Sequence, residues 1–459
     1  MPSRRDQLHS YQYLVQRVVA ALVLRETDPA RSPFRRAAGA ALASVLVAGI
    51  ALGGMALYGA LAGTDTGRYR DGSVVIVERE SGARYVFRDG RLHPVLNYAS
   101  ALLIVGTAQP RTVLVSRRSI EGVPRGTPLG IGDAPDSLPR AARLAADGWT
   151  VCSTVTEGSA GRPESVLLVG AEPAGARPLD GGLLVRHPDG SPHLLWHGRR
   201  HLVRQPDLVL SALAWTSRRL VPVAPALLNA LPAGADLAPV RVPDAGRPSG
   251  MPDVPVGEVF VVATQGGDRQ YAVARVGGLA GITEMQADLL LTARRQAAPT
   301  VLPQGRYATL PKVPDLVPTG PGALPARAPR LVEAAAAAVC GRFTDSADLP
   351  QLRLAEPAAL TAGGPRAAPA TGGGPFADRV MVAPGGGAVV EAMPAPGAPG
   401  GAVCLVTDLG RRYVVPGGEV LAVLGYQRVR PIRLPSSVVT LLPAGQALDP
   451  AAARAPVVR

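Results

Sequence analysis

The chain has 459 residues, 47% hydrophobic and 18% charged, proportions that exclude a wholly disordered chain and leave room for several domains with sizeable cores. Its 53 glycines and 46 prolines suit many short strands better than long helices. The formal net charge of +13 rests almost wholly on arginine, Lys312 being the only lysine, and with 4% aromatic residues there are few base-stacking platforms, which argues against nucleic acid as a partner. The arginine bias, together with abundant alanine, glycine and proline, reads as the codon usage of a GC-rich genome.

In chain order, the first predicted element is an amphipathic helix. Leu8, Tyr11, Val15, Val18 and Leu22 are spaced three and four apart on one helical face, and Ser3 stands three residues ahead of Asp6 as a capping pair. Such a short helix gains little by itself, so its apolar stripe is expected to dock on a protein partner, with the inner membrane leaflet as the competing surface. Pro29 and Pro33 separate it from the next helix.

From Ala37 to Gly63 the chain carries no charge, a run of 27 residues against the roughly 20 that cross a bilayer core. Ala60-Leu61-Ala62 resembles a signal-peptide cleavage site, but the preceding segment and the apolar run are both too long for one. An uncleaved single span is therefore expected. Residues 1–36 hold seven arginines against three acids, and residues 64–72 hold two against two. By the positive-inside rule the N-terminus stays in the cytoplasm and the bulk of the chain is exported, periplasmic or otherwise extracytoplasmic.

Beyond the span one unit recurs four times: a glycine, an apolar strand, a turn, a second strand, a glycine-bearing turn, a third strand and an apolar helical tail. The copies begin at Gly72, Gly182, Gly257 and Gly387. Alternating positions such as Tyr85 and Phe87, or Tyr271 and Val273, point one strand face at a core, while Asp89-Gly90 and Leu409-Gly410 supply hairpin turns. Spacings of 110, 75 and 130 residues between the starts sort the copies into two halves, each a repeat, a central segment and a repeat. Leu231-Pro232-Ala233-Gly234 after the second copy returns as Leu442-Pro443-Ala444-Gly445 after the fourth, 211 residues later.

The expected fold is mainly β with short helices: a single-span anchor and an elongated exported region of four small repeat domains around a central β-domain with pseudo-twofold internal symmetry. The expected division is a cytoplasmic helix (1–36), the span (37–63), a linker (64–71), repeat 1 (72–106), the first central part (107–181) and repeat 2 (182–215). A tail and linker (216–256), repeat 3 (257–293), the second central part (294–386), repeat 4 (387–426) and a C-terminal tail (427–459) complete it.

An exported chain sits where disulfides form. Cys152 and Cys340 occupy equivalent places in the two halves and are expected to meet across the axis, closing a loop of 188 residues. Cys404, at the strand position of Tyr85 and Tyr271, reads as a buried free thiol. His193, His197 and His201 stand four apart, but Gly190, Pro192 and Gly198 argue for a hairpin that places His197 at its tip, so no metal site is expected. There is no GxxxxGK[ST], GxSxG or HExxH, and Gly126 to Gly132 leads into Asp133-Ala134-Pro135 rather than a dinucleotide-binding helix. No cofactor and no catalytic group stand out; a scaffold is expected rather than an enzyme. Cell-envelope binding and exported nucleotide hydrolysis remain as alternatives.

The segment from Ser3 to Arg36 followed by one span, the run from Ile131 to Pro139, Trp149-Thr150-Val151-Cys152, Cys340, and the run from Cys404 to Pro416 together resemble the EccB family of the actinobacterial type VII (ESX) secretion machine. The resemblance runs nearly end to end. It implies four outer repeat domains around a central domain held by one disulfide at Cys152 and Cys340, and a homo-oligomeric membrane subunit. The implied partners are the FtsK/SpoIIIE-type ATPase EccC, the polytopic EccD, EccE and a mycosin protease. The sequence departs from the family in the Gly/Pro/Ala-rich stretch Thr361 to Ala402 and the tail Ala451 to Arg459, both expected to be flexible.

Overall fold

The computed structural model describes residues 3–24, 33–62, 69–108, 110–155, 161–263, 268–317, 320–334, 337–360 and 376–457. The chain divides into two compact units, Met1–Asp71 with Val115–Gly122, and Gly72–Leu114 with Val123–Arg459. In the first unit, α1 (Arg4–Leu24) starts from a reciprocal cap: the Ser3 N–H donates to the Asp6 carboxylate at 3.0 Å and the Asp6 N–H to the Ser3 hydroxyl at 3.4 Å. The Ser3 hydroxyl, donating to the Asp6 carboxylate at 2.8 Å, and the Ser3 N–H together hold that carboxyl below its ordinary value. Next, α2 (Pro33–Ala62) opens on a proline, which costs nothing in a first turn that has no acceptor for its N–H. Pro29 lies outside the described residues.

Among the described residues of the second unit the strands form five sheets. The first holds β1 (Val74–Glu78), β2 (Arg84–Arg88), β3 (Arg91–Pro94) and β4 (Arg111–Val115) in the order β3-β2-β1-β4, with α3 (Tyr98–Val105) before β4; α4 (Arg117–Ile120), next in the chain, belongs to the first unit. Then come β5 (Trp149–Val155), β6 (Pro163–Leu168) and β7 (Arg177–Pro178), part of a central sheet. The second small sheet has β8 (Leu183–Arg186), β9 (Pro192–Trp196), β10 (Arg199–Leu202) and β11 (Val221–Pro222), ordered β10-β9-β8-β11, with α5 (Pro206–Ala212) and α6 (Pro225–Ala230). The third has β12 (Val259–Ala263), β13 (Arg269–Arg275), β14 (Gly278–Ile282), β15 (Thr300–Val301) and β16 (Lys312–Val313), ordered β15-β12-β13-β14-β16, with α7 (Glu284–Arg294) and α8 (Gln304–Thr309). The central sheet is completed by β17 (Ala338–Phe343), β18 (Gln351–Ala355) and β19 (Arg379–Met381), in the order β19-β6-β5-β17-β18-β7. The fourth small sheet has β20 (Gly387–Met393), β21 (Ala402–Thr407), β22 (Arg412–Val414) and β23 (Ile432–Pro435), ordered β22-β21-β20-β23, with α9 (Gly418–Val423), α10 (Ser436–Val439) and finally α11 (Pro450–Ala453).

Register explains how each small sheet fills its core. Four cross-strand triplets stand in line: Val75, Val86 and His93; Leu184, Leu194 and His201; Val259, Val273 and Ala280; Val389, Leu405 and Tyr413. On β2 the buried residue is Val86, with Tyr85 and Phe87 half-buried on the opposite face, so the alternation falls one residue away from the expected one. After its helix the chain returns beside the third strand. There the N–H groups of Leu92, Arg200, Leu279 and Arg412 donate to the carbonyls of Pro124, Pro232, Pro311 and Pro443 at 2.9, 3.1, 2.9 and 3.0 Å. Where the third strand carries His93, His201 or Tyr413, the returning segment has Gly126, Gly234 or Gly445, and a Cβ at any of these would run into the ring. Where the strand carries Ala280, the facing residue is Val313. Ring plus glycine and alanine plus valine are two fillings of one space.

Helices pack the sheets pairwise. Leu102 and Leu103 of α3 share a core with Val420 and Leu421 of α9, and Val209 of α5 shares another with Met285 and Leu289 of α7. The tail expected to be flexible is ordered through Val457: Asp449 accepts from the Ala451 N–H at 3.0 Å to cap α11, Ala453 is buried, and the Val457 N–H donates to the Pro128 carbonyl at 3.0 Å. Likewise the stretch Thr361 to Ala402 supplies β19 and β20, while residues 361–375 lie outside the described residues.

Candidate functional site

The middle of the central sheet is the antiparallel pair of β5 and β17, where Cys340 stands opposite Cys152 and the two are joined by a disulfide with S–S 2.04 Å. The link closes 188 residues of chain. From Trp149 to Thr154 every residue of β5 is buried, so the strand is covered on both faces, its hydroxyl residues Thr150, Ser153 and Thr154 included. On one face the disulfide sits among Val166, Leu168, Ala338 and Leu360. On the other, Trp149, Val151, Val339 and Phe343 share a core with Leu227 of α6 and Val438 of α10.

Polar groups hold this sheet from its flanks. Glu172 pairs with Arg342 of β17 and, at 3.0 Å, with Arg353 of β18. Asp378, ahead of β19, accepts from the Ser165 N–H at 2.7 Å and the Ser165 hydroxyl at 2.6 Å, while its own N–H donates back to that hydroxyl at 2.9 Å. The segments entering β5 and β17 each bond a small sheet from a distant part of the chain: the Ala145 N–H donates to the Gly387 carbonyl, and the Val332 N–H to the Gly182 carbonyl, both at 2.8 Å. Sequence reasoning missed Glu172, Asp378 and these crossings, because their partners lie more than a hundred residues away and carry no local motif.

The five stripe residues of α1 are all exposed: Leu8 59%, Tyr11 69%, Val15 43%, Val18 54% and Leu22 74%. In α2, residues Ala38–Leu57 form a 20-residue apolar stretch with none of it buried, about 30 Å at 1.5 Å per residue, which matches a bilayer core.

Other chemistry-bearing side chains do not converge. His201 stands opposite Leu194 and His193 opposite Leu202, so the two rings point to opposite faces of the second sheet. His197 turns at positive φ and stacks on Trp196 at 3.9 Å. The His201 Nδ1–H donates to the Ala235 carbonyl at 2.8 Å, and burial lowers the pKa of both His193 and His201. Cys404 is a buried free thiol whose pKa burial raises. Its ladder position matches Tyr85 and Ala272, one residue from the Tyr271 expected. The Tyr426 phenol, pushed up by burial, donates to the Pro139 carbonyl at 2.7 Å. Among the described residues no three His, Cys, Asp or Glu side chains are grouped to hold a metal ion.

An apolar helix of membrane-crossing length, carried on the same chain as a large sheet-rich region pinned by one disulfide, marks the class of membrane-anchored proteins whose bulk lies outside the bilayer. The family model for the type VII secretion system ESX-1, transport TM domain B, matches residues 1–457, and the chain belongs to this EccB family. It is 31% identical to the ESX-3 secretion system ATPase EccB3 of Mycolicibacterium smegmatis over 97% of this chain and 89% of that protein. It is 34% identical to the ESX-2 secretion system ATPase EccB2 of Mycobacterium tuberculosis over 68% of this chain and 64% of that one. Among solved structures it is similar to a chain of the intact ESX-5 inner membrane complex, with a TM-score of 0.67, 26% identity and coverage of 100% and 96%. It is also similar to the EccB3 dimer from the ESX-3 core complex, with a TM-score of 0.64, 29% identity and coverage of 83% and 100%. The protein is a membrane-anchored core component of type VII secretion.

Proposed function

We propose that the chain is the scaffold of its secretion complex. Its N-terminus lies in the cytoplasm, where the exposed stripe of α1 docks on the motor side. Its sheet-rich region lies outside, where it oligomerises and holds the other membrane subunits, EccC, EccD, EccE and a mycosin, in register. The observation that carries this reading is the joining of exposed α1 and lipid-length α2 to one disulfide-pinned body. Arginines before α2 favour this orientation, and a disulfide favours an oxidising compartment for β5 and β17. The assemblies named for similar structures, an inner membrane complex and a dimer, support the partners.

The sheet-rich region is read as four small repeat domains about a pseudo-twofold axis between β5 and β17. Three features support this: β6 and β18 flank the seam in matching order, the prolyl carbonyl bond recurs four times, and the crossings at Gly182 and Gly387 match. Relatives carry the word ATPase in their names; for this chain the proposal is a scaffold without its own turnover.

The deciding experiment is a mild-detergent purification of the tagged full chain with identification of its partners. Recovery together with a secretion ATPase and a polytopic subunit is expected, and recovery of the chain alone overturns the proposal. A cysteine at Ser3 should be shielded from an impermeant thiol reagent in intact cells and one at exposed Ser217 reachable. ATP turnover by the pure chain, abolished by a point substitution within it, would replace the scaffold with an enzyme.

A further inference from the structure

The exposed stripe of α1 has the spacing of a seam between two helices. Leu8, Val15 and Leu22 hold the first position of successive heptads, and Tyr11 and Val18 the fourth. A seven-residue repeat drifts by about 20° per heptad on a straight helix and stays in line when two helices wind around each other. The opposite side of α1 is already covered, Ala20 being buried. Charge narrows the choice of partner. Residues 7–23 contain one formal charge, Arg17, which lies away from the stripe. A helix lying on a membrane carries basic residues along its polar face, and α1 lacks that row. The positions flanking the seam are Gln7, Gln12, Leu14, Val19 and Ala21, with no charge to repel an identical helix.

We propose that the stripe of α1 pairs with the same stripe of a second copy, parallel and in register; the inference rests on the oligomerisation proposed above and names the surface on which α1 docks. In such a pair Gln7 faces Gln12 of the second copy, amide against amide, and Leu14 faces Val19 of the second copy, apolar against apolar. Two copies anchored in one membrane present α1 in the same direction and at the same level, so orientation and register are set before the helices touch. The common anchor also raises the effective concentration of one α1 around the other. That matters because the seam is only about two and a half heptads long, too short to hold two free peptides together. Within an oligomer the pairing adds a cytoplasmic contact between copies.

The test places one new cysteine at a time in the full chain and oxidises isolated membranes with copper phenanthroline. Val15→Cys and Val18→Cys should each give a product of two cross-linked chains, because seam positions of a parallel pair lie within disulfide reach. Tyr13→Cys and Gln16→Cys, on the far side of the helix, should give none. Adding Gln7→Glu with Gln12→Glu sets like charges across the seam and should cut the Val18→Cys product about twofold or more, while Gln7→Glu with Gln12→Lys should restore it. Retention of the Cys152 to Cys340 cross-link checks that the sheet-rich region is intact in every variant. Equal yields at all four positions, a product containing a different subunit, or no product at any position overturns the pairing. A chain that is oligomeric by mass yet gives no seam product overturns the pairing alone, and a monomer overturns the oligomer as well. Seam cross-links in a chain that recruits no other membrane subunit overturn the scaffold reading alone.

Discussion

The N-terminal helices and the central sheet treat apolar side chains in opposite ways. Leu8, Tyr11 and Leu22 of α1 stand mostly exposed, and α2 buries none of its apolar stretch, whereas β5 leaves no residue from Trp149 to Thr154 accessible. The helices hold local hydrogen bonds but depend on lipid or a second surface for their side chains. The sheet satisfies itself, with its partners drawn from both halves of the chain. Damage to the sheet should therefore register as lost stability, and damage to α1 as lost assembly.

The strongest challenge to that division is Cys152→Ser. It should cost the sheet-rich region about 2–5 kcal/mol, measured by denaturant unfolding of the solubilised chain through tryptophan fluorescence, and adding Cys340→Ser should cost little more, since the link is already gone. An unchanged midpoint would show that the seam does not depend on the cross-link. Next in size, Gly234→Val drives a side chain into His201 and should cost about 1–3 kcal/mol. His201→Ala on that background should recover much of the loss, because Ala280 facing Val313 already solves the same problem; losses that simply add would refute the idea of alternative fillings.

A smaller effect comes with pH. Burial lowers the folded-state pKa of His201 and His193, with Arg199 adding to the shift at His201 and Asp236 opposing it. The unfolded chain thus binds protons first, so this stability is fully present above the ordinary histidine value of about 6.5 and is lost as pH falls through it toward the lowered folded value. His201→Gln should flatten the slope below that pH, and an unaltered slope would shift the effect to other groups. Least of all on stability, Tyr11→Asp with Val18→Asp should move the unfolding midpoint by less than about 0.5 kcal/mol, yet abolish co-purification with the other membrane subunits. Intact co-purification would favour a membrane surface for α1.

How much of this was legible depends on distance along the chain. The span needed only a run of uncharged residues, and the four triplets follow apolar positions that recur from copy to copy. The returning segment was read only where Leu231 to Gly234 and Leu442 to Gly445 spell the same words. It also occurs at Val123 to Gly126 and Leu310 to Val313, but the third copy hides it because Val313 replaces glycine where Ala280 replaces a ring. The tail looked flexible because its composition is poor in large side chains; its order comes from Asp449 capping Pro450 and from Val457 reaching Pro128, a partner no window of sequence contains.

The bond from Val457 to Pro128 also sets an order of events. A ribosome releases Pro128 more than three hundred residues before Val457, so the first sheet waits for Val457 before its returning segment is fully covered. During that interval Leu129 and Ile131 have the first sheet and α3 on one side but lack Leu448 and Ala453, which complete their shared core. Long-range closure of this kind slows folding and exposes apolar surface while it lasts. A newly made copy is thus a different object from a finished one, and a ribosome stalled before residue 448 would leave a chain with an anchor, a first sheet and no lid.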